Sequence, residues 1–309
     1  MNQTLFNIRT EIEKVLRGKT NVIDMVLTSM LAGGHILLED IPGVGKTTLA
    51  VALSRALSMD YKRMQFTPDV LPGDILGFSI YDQGKGEFTY RPGAIFTNLF
   101  LADELNRTSP KTQSALLEVM EEHKVTVDGQ TRRLSEPFFV IATQNPVGAS
   151  GTQKLPDSQL DRFFVKLSLG YPSHADATDI LRGHNMDYVD TVQPVCTCEE
   201  FIAMQKQVTE VYLKDSLLDY MVSLVEATRT TDNVAQGVSP RGLIALHKMA
   251  RAHAYLRGND YCIPDDIHAV FYSVCCHRLI LSTKARAQGI TAFDVCEQIL
   301  ATVPLPTNA

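Results

Sequence analysis

Asp40-Ile41-Pro42-Gly43-Val44-Gly45-Lys46-Thr47-Thr48 decides the fold. Before it stands Ile36-Leu37-Leu38, an apolar run that reads as a buried parallel strand. After it, Leu49-Ala50-Val51-Ala52-Leu53-Ser54-Arg55-Ala56-Leu57 reads as a helix. Strand, glycine loop and helix in that order give a glycine-lysine-threonine stretch the context of a phosphate-binding loop. Glycines let backbone N–H groups turn inward around a phosphate chain, and the helix N-terminus adds its positive end. Lys46 is placed to reach the β- and γ-phosphates, and Thr47 to set its hydroxyl on Mg²⁺. Pro42, Gly43, Val44, Gly45 and Thr48 complete the loop. One position departs from G-x-x-x-x-G-K-[ST]: Asp40 stands where the first glycine is expected.

Composition sets the frame. The chain has 309 residues, enough for one large domain or two. Apolar residues make up 45% and charged residues 21%, the balance of a globular protein with a normal core. The net charge of -6 argues against nucleic acid as the main partner, because neutralising phosphates needs a basic face. No run approaches the roughly 18 apolar residues that a membrane helix needs. The first residues show no charged region followed by an apolar one, so a cytoplasmic location is expected. Six cysteines, at 196, 198, 262, 275, 276 and 296, form no C-x-x-C pair and read as reduced structural thiols.

Outward from the loop, apolar positions at helical spacing predict helices over about 5–17 and 22–31. Val22 and Ile23 read either as contacts to an adenine or as plain core packing. Leu99-Phe100-Leu101-Ala102-Asp103-Glu104 is an apolar strand ending in two carboxylates, the second half of a nucleotide site. Asp103 suits Mg²⁺, directly or through water, and Glu104 suits the activation of a water. Phe138-Phe139-Val140-Ile141-Ala142-Thr143 is a further buried strand, ending at Gln144-Asn145-Pro146, where Asn145 is either a polar contact to the γ-phosphate or a turn residue before proline. Two hairpins interrupt the helices. One spans about 78–90, and the other turns at Asp128-Gly129, the strongest short hairpin signal. After Pro172 the pattern becomes helical, with helices over about 174–183, 198–208, 214–229, 239–257 and 264–281.

Together, Pro42–Thr47, Ala102-Asp103-Glu104-Leu105-Asn106-Arg107, Ala142–Pro146 and Leu160-Asp161-Arg162-Phe163 resemble the AAA+ ATPases. Ser109–Glu118 and the hairpin around Asp128-Gly129 resemble their MoxR subfamily. The resemblance is dense from Gly34 to Pro172 and looser to Pro264. It implies an α/β fold in which a P-loop parallel sheet flanked by helices, with inserted β-hairpins, over residues 1–172, precedes an all-α lid over 190–309. It also assigns roles. Lys46 and Thr47 match Walker A, Asp103 and Glu104 Walker B, and Asn145 sensor 1. Arg162 resembles an arginine finger reaching a neighbouring subunit's γ-phosphate, and Arg241, in Ser239-Pro240-Arg241-Gly242, a sensor 2 arginine touching the nucleotide from the lid. The implied protein hydrolyses ATP with Mg²⁺, assembles as a homo-oligomeric ring, a hexamer by resemblance, and acts in a chaperone-like way on a client bearing a von Willebrand factor A domain or on a complex being matured or metallated. A nucleic-acid motor, with Arg132-Arg133 in one hairpin, and a nucleotide-gated scaffold are the rival readings.

Overall fold

Alternating side chains of three buried strands divide the interior in two. In a computed structural model describing residues 2–84, 86–146, 155–181 and 188–306, the strands are β1 (Ile36–Glu39), β2 (Tyr61–Gln65), β3 (Gly77–Asp82), β4 (Glu87–Pro92), β5 (Leu99–Asp103), β6 (Lys124–Val127), β7 (Gln130–Arg133), β8 (Phe139–Gln144), β9 (Val165–Leu167), β10 (Val234–Gln236) and β11 (Ile280–Leu281). Among the described residues the main sheet has five parallel strands in the order β2-β5-β8-β1-β9. Ile36, Leu38, Leu99, Leu101, Phe139 and Ile141 point into one core, and Leu37, Phe100, Ala102, Val140 and Ala142 into the other. The period of two is that of strands covered on both faces.

The first core runs from Leu5 to Ile299 without a break. Helix Gln3–Glu13 packs on helix Lys46–Ala56, and helix Thr20–Leu31 on helix Pro240–Arg257. Phe139 of β8 meets Phe201 of helix Cys198–Glu210 edge to face, 5.9 Å between ring centres. The opening helices therefore share apolar contacts with the C-terminal helices as well as with the sheet.

The two inserted hairpins are present as antiparallel pairs, β3 with β4 and β6 with β7; Lys85 of the first turn lies outside the described residues. Arg132 lies 3.7 Å from the centre of the Tyr90 ring and so joins them. Helix His174–Leu181 is described, whereas 182 and 183 of its expected span lie outside the described residues.

The C-terminal third departs from the expected all-helical pattern: two short strands pair within it, and two helices, Thr283–Ala287 and Ala292–Thr302, follow the last one expected. The single helix expected over 264–281 is a helix over Pro264–Cys275, a 3-10 turn over Cys276–Arg278, and β11, which pairs with β10. The break has a visible cause. The Arg278 side chain is almost wholly buried, and it donates to the carbonyls of Val274, Asp161, Phe163 and Phe164 and to the Asp161 carboxylate at 2.8 Å. No helix among the described residues is long and apolar enough to cross a membrane.

Candidate active site

The strand order brings the C-terminal ends of β1, β8 and β5 side by side, and ligands of parallel α/β sheets bind at such ends. Gly43 and Gly45 have φ of +85° and +101°, a region closed to most side chains, and so the loop after β1 can turn its amides inward. Lys46 opens the following helix and is buried, its ammonium donating to the Asp40 carbonyl at 2.8 Å. Burial pulls the Lys46 ammonium below its ordinary range, and the carboxylates of Asp40, Asp103 and Glu104 oppose that shift.

Asp40 explains its own departure from the glycine pattern. It is buried, and its carboxylate accepts hydrogen bonds from Ser168 Oγ at 2.6 Å, Leu169 N at 2.7 Å and Gly170 N at 3.0 Å. The side chain ties the start of the loop to the segment after β9, where a glycine would leave two amides unpaired.

Asp103 ends β5 with both oxygens engaged. Oδ1 accepts from the Thr143 hydroxyl at 2.6 Å, and Oδ2 from Arg63 Nη2 at 2.6 Å. The Thr143 hydroxyl in turn accepts the Glu104 amide at 2.8 Å. Glu104 adopts φ +58°, a left-handed conformation uncommon for a side-chain-bearing residue, which marks it as held by its surroundings. Its carboxylate accepts from Arg107 Nη1 at 2.8 Å, Asn145 Nδ2 at 3.1 Å and, more weakly, Gln65 Nε2 at 3.4 Å. Arg107 first, and the two amides after it, hold the Glu104 carboxyl below its ordinary range against the opposing effect of burial. The carboxylate is thus charged at neutral pH, the form a general base needs. Asn106 Nδ2 donates to the Asn145 carbonyl at 3.1 Å and fixes the strand tip.

One cavity of about 360 Å³ gathers Pro42, Gly43, Gly45, Lys46, Thr47, Thr48, Asp103, Glu104 and Asn145. Arg63 and Gln65 of β2 also line it, and the sequence alone did not single them out, because a five-residue strand with exposed polar positions reads as a sheet edge. The oxygen donors of Thr47 and Asp103 suit a hard cation such as Mg²⁺. Among the described residues no group of three or more histidine, cysteine or acidic side chains gathers into another metal site.

A second cavity, about 260 Å³, adjoins the first and shares Gly43, Gly45 and Thr48 with it. Val15, Leu16, Arg17, Lys19, Val44, Pro172 and Asp176 line the rest. Its apolar residues suit a flat base beside a phosphate chain. Val22 and Ile23, the expected adenine contacts, line neither cavity. Ile23 is fully buried and Val22 partly so, and both pack into the first core. The adenine assignment of this pair is therefore corrected to core packing.

Arg162 and Arg241 meet elsewhere. Both lie on Glu121, Arg162 Nη1 at 2.7 Å from Oε2 and Arg241 Nη2 against Oε1. They line a cavity of about 230 Å³ that shares no lining residue with the other two. Arg241, expected to touch the nucleotide from the lid, lies with Arg162 on the Glu121 carboxylate. The reason is local. Ser239, which caps helix Pro240–Arg257, donates to the Asp161 carboxylate at 2.8 Å, so the first turn of that helix docks beside Arg162.

Loop, paired carboxylates, polar strand tip and helical C-terminal third define the class: a P-loop ATPase of the AAA+ type. The model for the ATPase family associated with various cellular activities (AAA) matches residues 35–165, and that for the AAA lid domain residues 226–299. The chain is 49% identical to the uncharacterised protein YeaC of Bacillus subtilis, over 96% of this chain and 93% of that protein. It is 38% identical to chaperone MoxR1 of Mycobacterium tuberculosis, over 96% of this chain and 81% of that protein. The crystal structure of a candidate ATPase from Cytophaga hutchinsonii superposes with a TM-score of 0.91 at 37% identity, covering 99% of this chain and 96% of that one. The chain belongs to the MoxR family of AAA+ ATPases.

Proposed function

We propose that this chain hydrolyses ATP at the cavity formed by the glycine loop, β5 and β8. The observation that carries the reading is the convergence there of Lys46, Thr47, Asp103, Glu104 and Asn145. Lys46 and the loop amides hold the phosphates, while Val15, Leu16 and Pro172 flank the base. Thr47 and Asp103 hold Mg²⁺, which when bound neutralises charge on the β- and γ-phosphates. Glu104 takes the proton of the attacking water, and Asn145, bonded to Glu104, orients that water toward the γ-phosphate.

The α/β unit of residues 1–172 and the helical unit of residues 190–309 act as parts of a homo-oligomeric ring, a hexamer. Arg162 and Arg241 serve the nucleotide of the adjacent subunit, because their own chain directs them away from its phosphate cavity. Guanidinium groups supplied across a subunit boundary stabilise the charge of phosphoryl transfer and tie turnover to assembly. The role is chaperone-like remodelling of a client protein in the cytoplasm. The name of the mycobacterial relative supports it, and resemblance points to a von Willebrand factor A domain in the client.

Glu104→Gln is expected to bind ATP and release no phosphate, and Lys46→Ala to lose ATP affinity by at least about tenfold, since it removes a charge-assisted contact. Steady-state phosphate release and nucleotide titration check both. Captured from a lysate with ATP, the Glu104→Gln protein should retain a client that Lys46→Ala does not. Hydrolysis undiminished in Glu104→Gln would end this reading, and nuclease-sensitive capture would move it to a nucleic-acid motor.

A further inference from the structure

We infer that Glu121 is a positioning residue that holds Arg162 and Arg241 as one preformed cationic fork for the adjacent subunit's nucleotide. The inference rests on the reading of those two arginines given above.

Glu121 sits at the wrong end of its helix. It belongs to the last turn of helix Pro110–Glu122, where the helix dipole disfavours an anion, and that turn has no basic residue. Arg241 has the mirror problem, lying in the first turn of helix Pro240–Arg257, where the dipole disfavours a cation. Pairing the two offsets both. Arg162 joins from a third element and donates from the same Nη1 to the Leu117 carbonyl at 2.8 Å.

Two guanidiniums brought together repel each other, and a carboxylate between them removes the repulsion. The closest approach to Glu121 is through Nη1 of Arg162 and Nη2 of Arg241. Among the described residues, the other terminal nitrogen of each has no acceptor and is left for a phosphate oxygen. The frame behind the fork is fixed at both ends. His35 Nε2 bonds the Met120 carbonyl at 2.9 Å and anchors the helix end that bears Glu121. Asp161, next to Arg162 in sequence, holds Ser239 two residues before Arg241. A carboxylate at the centre of such a frame sets the spacing of the two cations before any phosphate arrives, so the ordering cost falls in folding and not in turnover.

The test is Glu121→Gln, which keeps the shape and removes the charge. The full-length variant should bind ATP as the parent does, with KM within about twofold and kcat lower by about tenfold, less than the loss of an arginine finger itself. A mixed-subunit experiment separates positioning from a fold defect. Oligomers are formed by co-expressing Glu121→Gln with Glu104→Gln chains. Where a Glu121→Gln chain supplies the nucleotide site and a Glu104→Gln chain the arginines, the composite site is intact. Turnover above the sum of the two separate variants supports the inference. An unchanged kcat in Glu121→Gln overturns it, and so does a loss that mixing does not restore. Arg162→Ala and Arg241→Ala are measured beside them. If neither lowers kcat, the reading of the arginines falls with it; if both do and Glu121→Gln does not, only the role of Glu121 falls.

Discussion

Asp40 shows how much one residue decides. Its carboxylate accepts three hydrogen bonds at the start of the phosphate loop, two of them from the buried or half-buried amides of Leu169 and Gly170. Restoring the glycine of the sequence pattern removes those acceptors and adds chain freedom to the unfolded state. Asp40→Gly is expected to lose about 2 kcal/mol of stability, the cost of leaving buried amides unpaired. ATP affinity should not rise, because Gly43 and Gly45 already supply the left-handed positions. Urea unfolding and nucleotide titration check both, and a variant as stable as the parent would remove Asp40 from the account. Glu104 makes the complementary point. Its environment, Arg107 above all, keeps it ionised below the ordinary carboxylate range. Turnover should therefore show no loss from Glu104 protonation until the pH falls below its ordinary value of 4.5. A pH profile of kcat measures this, and an acid limb centred near neutrality would contradict it.

At the scale of elements, what the sequence made legible was local. The glycine loop, the acid-tipped strand and both hairpins announce themselves within ten or so residues, by turn chemistry or by runs of apolar residues. What stayed hidden depends on distant partners. Thr143 reads as one more strand residue, and only the pairing of β5 with β8 makes its hydroxyl the link between Asp103 and Glu104. The strands β10 and β11, three and two residues long, are too short for any period to show. Arg132, which the sequence offered to nucleic acid, is engaged by the Tyr90 ring of the other hairpin. His35 is another such case. It precedes β1, donates from Nε2 to Met120 at a helix end, and accepts at Nδ1 from Val140 of β8 at 3.0 Å. Burial pushes its pKa down to about 4 from an ordinary 6.5. The folded protein keeps it neutral while the unfolded chain protonates it below 6.5. The associated stability is then fully present above pH 6.5 and is lost as the pH falls toward 4, by about 3 kcal/mol. His277, buried and also shifted down, adds to the loss in the same direction. Urea midpoints at pH 7.5 and 5 should show the decline, and His35→Gln should flatten it; an equal slope in the variant would assign the effect elsewhere.

For the whole molecule, the decisive joint is between the sheet and the helical third. Asp161 stands in the stretch that carries Arg162, and its carboxylate accepts from Ser239 Oγ at 2.8 Å and Arg278 Nε at 2.8 Å. The Arg278 guanidinium also donates to the carbonyls of Phe163 and Phe164. One carboxylate and one buried guanidinium thereby fix the helix that bears Arg241 against the loop that bears Arg162. Asp161 stands in the stretch Leu160-Asp161-Arg162-Phe163, which carries part of the family resemblance, but its partner Arg278 lies 117 residues further on and outside every such stretch. Arg278→Leu leaves Asp161 and several carbonyls without their donor and is expected to cost about 3 kcal/mol, in the range for breaking a buried pair. Asp161→Asn is the gentler change, because its amide oxygen still accepts from Ser239. It should fold, bind ATP with unchanged affinity and turn over more slowly, since Arg162 and Arg241 lose their common anchor while Lys46 and the loop amides keep theirs. Calorimetric unfolding separates the two variants by stability, and phosphate release at saturating ATP reads the joint itself. Should Asp161→Asn turn over at the parental rate, the two arginines would be positioned by Glu121 alone, and the docking of the helical third would matter for stability and not for chemistry.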